Sequence, residues 1–568
     1  MKDVKFKQII EYLNQNNVQA AKLQCHQLLE QNNQDATIYH LLGIISIKQN
    51  KINQAISEFK KALSLDDQNP IYLTHLANCY KKIDHFDLAL KYYQKALSLQ
   101  PDCFEALINL AYFYYQQKKW VDAEHCFQNV LKIESYHNEA LYYLGQISFL
   151  QHDFEKTKTY LEKLLHFHPN HFKGLTLLGH LAYLQNDYLM AIHYYENAFS
   201  IHADDLENLN NLGSCYLKIN QDNTAIYYFI KAYGMNPNDI NTLNNLAITY
   251  LKQDHYEVAK KYFVELLIQE PKHFEALYNL AVCEMALGEI DEAIKNFQKI
   301  LETHPNNYDA RCNLAAAYLK KGEQVLAIEH YQKARLINPK DPSVDYLLQA
   351  LQENKASTIS KAPKDYIQKL FDHYAFSYDI HMGKTLHYQV PTLFLEQFLC
   401  YKNQLAIYPT LNLLDLGSGT GIVGELFAPY VSNIIGVELS ERMNYYANKK
   451  NIYQQLIQQD ILDYLANCST QFPLITAADV FEYFGSLDEI FKNIKIVLQP
   501  KGLFLFTVEK YDGIEDYQLQ KNARFCHRLA YLEKLIDKFN FIPLTLEQVI
   551  LRYQNKQPVD GYLGVLTL

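Results

Sequence analysis

Residues 413–421 read LLDLGSGTG, and the next three bring Gly424, so that Gly419-Thr420-Gly421-Ile422-Val423-Gly424 fits the pattern G-x-G-x-x-G. An apolar run entering glycines and leaving in a helical pattern is a strand–turn–helix signature. In a dinucleotide-binding turn the strand runs straight into the first glycine, because a pyrophosphate must reach the helix N-terminus. Here Asp415 interrupts, two residues before Gly417. A carboxylate at that place repels a diphosphate and attracts an ammonium or a sulfonium. Two opposite charges about 4 Å apart at an effective dielectric of 20 attract by roughly 4 kcal/mol. The ligand expected at this strand tip is a nucleoside with a cationic tail.

Outward from this stretch, apolar runs of strand length alternate with helical patterns. The runs are LNLLDLG (411–417), NIIGVEL (433–439), LIQQD (456–460), PLITAADVF (473–481), GLFLFTVEK (502–510), FIPLTLEQVI (541–550) and GYLGVLTL (561–568). SLDEIFKNIKIVL (486–498) and CHRLAYLEKLIDKF (526–539) read as helices between them. Such alternation predicts a parallel sheet of seven strands covered on both faces. The last two strands have no full helix between them, so the final one is predicted antiparallel.

The glycine stretch resembles motif I of class I S-adenosylmethionine-dependent methyltransferases, usually D-L-G-C-G-T-G, with Ser418 in place of the cysteine. The resemblance covers residues 364–568. It implies a doubly wound α/β domain and S-adenosyl-L-methionine as cofactor. It implies cofactor contacts from Asp415, Gly417, Ser418, Gly419 and Gly421, from Glu438 with Leu439 at the ribose, and from Asp460 with Ile461 at the adenine. Asp479, at the end of the fourth strand, would face cofactor and substrate. Glu438 and Asp460 also precede helices and suit helix caps. FDHYAFSYDIHMGKTLHYQVP (371–391) is similar to the entry segment of bacterial methyltransferases that carry tetratricopeptide repeats. That likeness implies a lid over the cofactor, with Tyr374 and Tyr388 against it. ARFCHRLAYLEKL (523–535) resembles a G-R-Y-A-H-S segment of the same family. Arg524 and His527 match; Ala523 and Arg528 depart.

Before residue 354 a different order rules. A period of 34 residues starts units at Ala36, Pro70, Phe104, Asn138, Phe172, Leu206, Ile240, Phe274 and Tyr308, with a weaker copy at Lys2. Leu-Gly or Leu-Ala stands at the seventh and eighth places, Ala at the twentieth, an aromatic four later, and proline near the end. Small residues let two helices approach, and the aromatic fills the groove beside them. One helix pair cannot bury its own apolar face, so neighbours must stack. The pattern is identified as tetratricopeptide repeats, an α-solenoid of about ten units over residues 2–354. PSVDYLLQALQEN, from Pro342, reads as the capping helix, and residues 355–363 as a linker. At the sixth place stand Asn109, Asn211, Asn245, Asn279 and Asn313. Asn is a poor mid-helix residue, and its amide suits an extended peptide backbone. The arrangement resembles the asparagine ladder of O-linked N-acetylglucosamine transferase. It implies a protein or peptide partner in the repeat groove. Bonds to neighbouring helices are the structural alternative.

A chain of 568 residues demands two or more domains. A net charge of -10 opposes non-specific nucleic-acid binding. Ten cysteines without a C-x-x-C pair read as free thiols, hence a cytoplasmic protein without a structural metal. Candidate catalytic residues are Asp479, Glu482, Tyr483 and His527, with His381 and His387 near the expected mouth. Asp479 is expected to position the acceptor more than to deprotonate it. The sequence leaves three readings open. They are a methyltransferase whose repeats recruit a protein or peptide, a small-molecule O- or N-methyltransferase whose repeats serve assembly, and a non-enzymatic scaffold.

Overall fold

The computed structural model describes residues 2–352, 359–554 and 556–568. The chain forms two compact units, Met1–Thr249 and Tyr250–Leu568.

Helices run in pairs, α1 (Lys2–Asn14) with α2 (Val18–Gln31), then by 34 residues to α19 (Tyr308–Lys321) with α20 (Gln324–Ile337), closed by α21 (Pro342–Leu351). Each first helix begins at the residue the period marks. Asp35, Asn69, Asp205 and Asn307 accept N–H groups of the following first turns and so set where helices start. The small and aromatic places are buried as the pattern requires: Ala55, Ala89 and Ala123, with Phe59, Tyr93 and Phe127. The first helix of each pair ends on a left-handed residue, again every 34 positions: Asn16, Asn50, Asp84, Lys118, His152, Asn186, Asn220, Asp254, Gly288 and Gly322. A positive φ there turns the chain back for the second helix.

In the second unit the last repeats and the α/β domain share a core. Tyr346 and Ala350 of α21 pack with Leu414, Val437 and Phe525, and the Tyr346 hydroxyl donates to the Ala523 carbonyl at 2.6 Å. The expected capping helix is thus also a docking helix. Residues 355–358 of the expected linker lie outside the described residues. Those that follow are anchored: Lys361 bridges Phe484, Ala362 N–H donates to the Tyr483 carbonyl at 2.8 Å, and Gly485 N–H to the Ser360 carbonyl at 2.7 Å.

The sheet holds nine strands: β1 (Asn412–Leu416), β2 (Asn433–Glu438), β3 (Gln455–Gln458), β4 (Phe472–Ala477), β5 (Leu498–Lys510), β6 (Tyr517–Leu519), β7 (Phe525–His527), β8 (Ile542–Gln554) and β9 (Gln557–Thr567). β3-β2-β1-β4-β5 are parallel neighbours, and β9 runs antiparallel to both β5 and β8. Seven of the nine are the strands read from the sequence, and the final one is antiparallel as expected. The short β6–β7 pair corrects the reading of Cys526 and His527 as helical. Their backbones pair with Gln518 and Tyr517 and with the end of β5, and the helix starts only at Leu529. Helices α22 (Lys364–Tyr374), the single turn α23 (Tyr378–Ile380), α24 (Val390–Tyr401), α25 (Ile422–Phe427), α26 (Glu441–Lys449), α27 (Ile461–Asn467), α28 (Asp488–Val497) and α29 (Leu529–Phe539) complete the domain. Leu414, Leu416, Ile475, Phe504 and Phe506 bury one face of the sheet, and Leu413, Leu474, Leu503 and Leu505 the other. That is the period-two alternation of strands covered on both sides. Among the described residues no helix is long and apolar enough to cross a membrane, and the ten cysteines are unpaired.

Candidate active site

In the parallel part of the sheet the chain order reverses between β1 and β4. Ligands of open α/β sheets bind at such a switch point, outside the carboxyl ends of the strands. A cavity lies there. Gly417 and Gly419 line it after β1, Val437, Glu438 and Leu439 at β2, and Gln459, Asp460 and Ile461 after β3. Ala478, Asp479, Val480, Tyr483 and Phe484 follow β4, and Ile367, Phe371 and Tyr378 come from the entry segment. The charged residues of this wall are Glu438, Asp460 and Asp479; among the described residues no lysine, arginine or histidine lines it, although Lys364 Nζ lies 3.6 Å from Asp460.

Gly417 and Gly419 have φ of 67° and 53°, a region that costs glycine nothing. The Gly417 N–H donates to the Val437 carbonyl at 2.8 Å, which folds the turn back over β2. Glu438 accepts the Gly419 N–H at 3.0 Å and the Ser440 N–H at 2.8 Å, one on each oxygen. Burial raises its carboxyl above the usual range. Each oxygen keeps a lone pair for a ligand hydroxyl. Asp460 caps α27, accepting from Leu462 N–H at 3.1 Å and Asp463 N–H at 3.3 Å, and still lines the cavity. Capping and lining coexist.

Asp415 is placed differently from expectation. It is 1% exposed, and its oxygens accept from the hydroxyls of Thr476 and Tyr453, each at 2.8 Å. The sheet register sets Thr476 directly opposite Asp415, so the carboxylate is spent between strands instead of facing a ligand. Burial pushes the carboxyl up to about 6 against these two bonds. The Tyr453 ring also packs on Gly421, where a β-carbon would sit 2.9 Å from it. Asp415 therefore fixes the glycine turn through Tyr453, and the charge that faces the cavity comes from Glu438, Asp460 and Asp479. Ser418 and Gly421 shape the turn through a 2.8 Å bond from Gly421 N–H to the Ser418 carbonyl, and neither lines the cavity.

The entry segment lies across the turn. Asp379 accepts the Thr420 hydroxyl and meets Lys450 Nζ at 3.1 Å; Asp372 accepts the Ser440 hydroxyl at 2.6 Å and the Arg442 N–H at 3.3 Å. The tyrosine that reaches the cavity is Tyr378, which the sequence reading had not assigned to the site. Tyr374 is hydrogen-bonded to His381 Nδ1. Tyr388 is off the lining. Burial first, then the charge of Asp479, raises the phenols of Tyr378 and Tyr388 well above their ordinary value. His387 is exposed.

Behind Asp479, whose own φ is 51°, runs a chain of charges that is buried except at the half-buried Arg524. Asp479 pairs with Arg552 at 2.5 Å, Arg552 with Glu509, Glu509 with Arg524 at 3.2 Å, and Arg524 with Glu482 at 2.8 Å. Three acids meet two guanidinium groups. The odd atom is Glu482 Oε2, buried without a hydrogen-bond partner. Burial, then the Asp479 charge, pushes the Glu482 carboxyl up to about 8. Tyr483 lines the cavity; Glu482 does not. His527 is fully buried, its Nε2 is 3.0 Å from the Gly485 carbonyl, and burial lowers it to about 4. It is a neutral imidazole off the cavity. Arg552 and Glu509 carried no sequence signal beyond a charge inside an apolar strand.

The repeat asparagines are half-buried. In the first unit, Asn109 donates to its own helix at the Glu105 carbonyl (2.7 Å), and Asn211 lies 2.9 Å from His180 Nε2 in the adjacent repeat. Asn210, beside it, donates to the Thr242 hydroxyl at 2.9 Å. In the second unit, Asn313 donates to the Tyr278 hydroxyl at 2.9 Å. Ties between adjacent repeats therefore account for part of the recurrence. Asn245 and Asn279 share the same half-buried place in their helices.

A family model described as "Methyltransferase domain" matches residues 414–506. Models described as "Tetratricopeptide repeat" match residues 36–69, 70–103, 139–171, 206–239, 244–307 and 285–351. An uncharacterized methyltransferase YcgJ of Bacillus subtilis is 28% identical over 121 residues, 21% of this chain and 47% of the relative. A ubiquinone biosynthesis O-methyltransferase of Coxiella burnetii is 27% identical over 103 residues, 17% of this chain and 44% of the relative. The chain thus spans somewhat under half the length of these relatives. Among solved structures, Pseudomonas aeruginosa pilF aligns over 36% of this chain and 94% of its own, with 22% identity and a TM-score of 0.33. A tetratricopeptide repeat protein from Parabacteroides merdae aligns over 44% and 99%, with 18% identity and a TM-score of 0.33.

Proposed function

This chain joins tetratricopeptide repeats to a methyltransferase domain, and from that premise we propose that it transfers a methyl group from S-adenosyl-L-methionine to a protein or peptide acceptor recruited by the repeats. One observation carries the donor assignment: the charged residues lining the cavity at the strand ends are acids, and of these Glu438 is held by backbone N–H groups, whereas Asp479 is paired with Arg552 and Asp460 lies 3.6 Å from Lys364 Nζ. Such a wall favours a nucleoside with a cationic tail over a diphosphate. Glu438, fixed by two N–H groups, retains acceptor capacity for a pair of ribose hydroxyls. Asp460 and Ile461 offer a polar and an apolar edge for the base, and the open backbone at Gly417 and Gly419 admits close approach.

When bound, the donor supplies a methyl group on a sulfonium. What the chain contributes is alignment and exclusion of water, from Tyr378 and Phe371 above and Asp479 and Tyr483 beside the reacting end. A proton acceptor is needed where the nucleophile starts protonated. Glu482 lies behind the cavity wall, so it takes that proton by relay through a wall residue; its Oε2 is unpartnered and its proton affinity is raised. Tyr483 lines the cavity where the ligands would sit, and the placement of His527 supports a structural role.

Glu482 must be unprotonated to take a proton. kcat/KM for the acceptor is therefore expected to rise with pH through a limb near 8. Glu482→Gln is expected to abolish that limb and lower kcat about 100-fold. An unchanged limb in the variant would assign the base elsewhere.

Acceptor class is tested with tritium-labelled donor and full-length protein in cell lysate. Label is expected in the protein fraction, reduced when Asn245→Ala and Asn279→Ala are combined. Label confined to small molecules or lipid would overturn the acceptor assignment.

A further inference from the structure

The left-handed turn that ends the first helix of each repeat is exposed nine times and buried once. Asn16, Asn50, Asp84, Lys118, His152, Asn186, Asn220, Gly288 and Gly322 are exposed, whereas Asp254 is 4% exposed. Three side chains take its carboxylate. Oδ2 accepts from the Arg442 guanidinium and from the Tyr446 hydroxyl at 3.0 Å; Oδ1 accepts from the Tyr256 hydroxyl at 2.7 Å.

Arg442 and Tyr446 stand four residues apart on one face of α26. The opening turn of that helix builds the cavity. The Ser440 N–H binds Glu438 Oε1, Asn444 Nδ2 donates to the Glu438 carbonyl at 3.2 Å, and Met443 lines the wall. The same repeat turn reaches the opposite wall. Tyr256 packs edge-on against Phe376 of the entry segment at 5.9 Å, two residues before Tyr378. The backbone N–H of Arg442 also donates to the Asp372 carboxylate of α22 at 3.3 Å. One repeat turn therefore grips both the helix beneath Glu438 and the segment over the cavity.

We infer that Arg442, clamped by Asp254, is a positioning residue of the methyl-donor site, so that the repeat array sets donor affinity as well as recruiting the acceptor. This rests on the donor assignment above. The clamp fixes the start of α26, and with it the direction in which Glu438 presents its free lone pairs. A site loosened by a fraction of an ångström loses affinity although none of its contact residues has changed.

The test is calorimetric titration of full-length protein with S-adenosylhomocysteine. Asp254→Ala and Arg442→Ala are each expected to weaken binding about 10-fold, with the double variant no weaker than Asp254→Ala alone, because that change already removes the Arg442 contact together with the Tyr446 and Tyr256 bonds. Arg442→Lys keeps a cation and is expected to recover affinity to within about 3-fold of wild type. Tyr446→Phe, which deletes one hydroxyl and leaves the helices intact, is expected to weaken binding about 3-fold. Circular dichroism verifies that each variant is folded. Folded variants that bind like wild type, or losses that add in the double variant, would overturn the inference. Failure of wild type itself to bind would instead sink the donor assignment on which it stands.

Discussion

Arg552→Met is expected to cost the second unit about 3–5 kcal/mol of folding stability, the range for breaking a buried ion pair on one side. Arg552 is 2% exposed and neutralises Asp479 and Glu509, both themselves buried or nearly so. Methionine fills similar space, strips Asp479 of its cationic partner and leaves Glu509 with Arg524 alone. Asp479, at φ 51°, then keeps only Thr507, which accepts its N–H at 3.1 Å and donates to its carboxylate at 3.4 Å, so the residue at the cavity wall loses one of two anchors. Donor binding and transfer are expected to fall together. Arg552→Met combined with Glu509→Gln removes one of the stranded charges and is expected to regain about half of the lost stability. Chemical denaturation of the full chain, followed by near-ultraviolet circular dichroism, measures this. A loss under about 1 kcal/mol would mean that water reaches the network and that Asp479 is not held as described.

Glu438→Ala carries the second large effect. Its carboxylate is fixed by the Gly419 and Ser440 N–H groups and lines the cavity, which leaves one lone pair per oxygen for ligand hydroxyls. Hydrogen bonds to a charged acceptor contribute about 1.5–3 kcal/mol each. Losing two costs about 3 kcal/mol or more, a factor of at least about 100 in Kd. Glu438→Gln is expected to do nearly as badly, since one end of the amide turns a donor toward an N–H group. Binding of S-adenosylhomocysteine by Glu438→Ala within about 5-fold of wild type would exclude this residue from the ribose.

The repeats were legible because each unit contains its own evidence. The spacing of Ala55, Phe59 and their equivalents sets helix contacts within one unit, so the period marked the start of each first helix. The strand ends were legible for a similar reason. Glu438, Asp460 and Asp479 each follow an apolar run, and a parallel sheet brings the ends of such runs together. What escaped depends on partners far apart in sequence. Asp415 looked like a ligand residue because its neighbours are glycines. Its partners, Thr476 and Tyr453, are 61 and 38 residues away and known only from the register. Arg552 and Glu509 meet across β8 and β5, 43 residues apart, and neither stands in a motif. The β6–β7 pair was hidden because three-residue strands leave no periodic trace. Asp254 sits at a repeat position shared with nine other turns, and only Arg442, 188 residues later, sets it apart. The acids that line the cavity are thus Glu438, Asp460 and Asp479, and Asp415 lies buried beneath it.

Calorimetric titration of the wild-type chain with S-adenosylhomocysteine, set beside an identical titration with NADH, addresses this most directly. The expected result is saturable one-to-one binding of S-adenosylhomocysteine, abolished in Glu438→Ala, and no heat from NADH. Saturable binding of NADH with no response to S-adenosylhomocysteine would contradict the claim that the acid-lined cavity receives the nucleoside of a methyl donor.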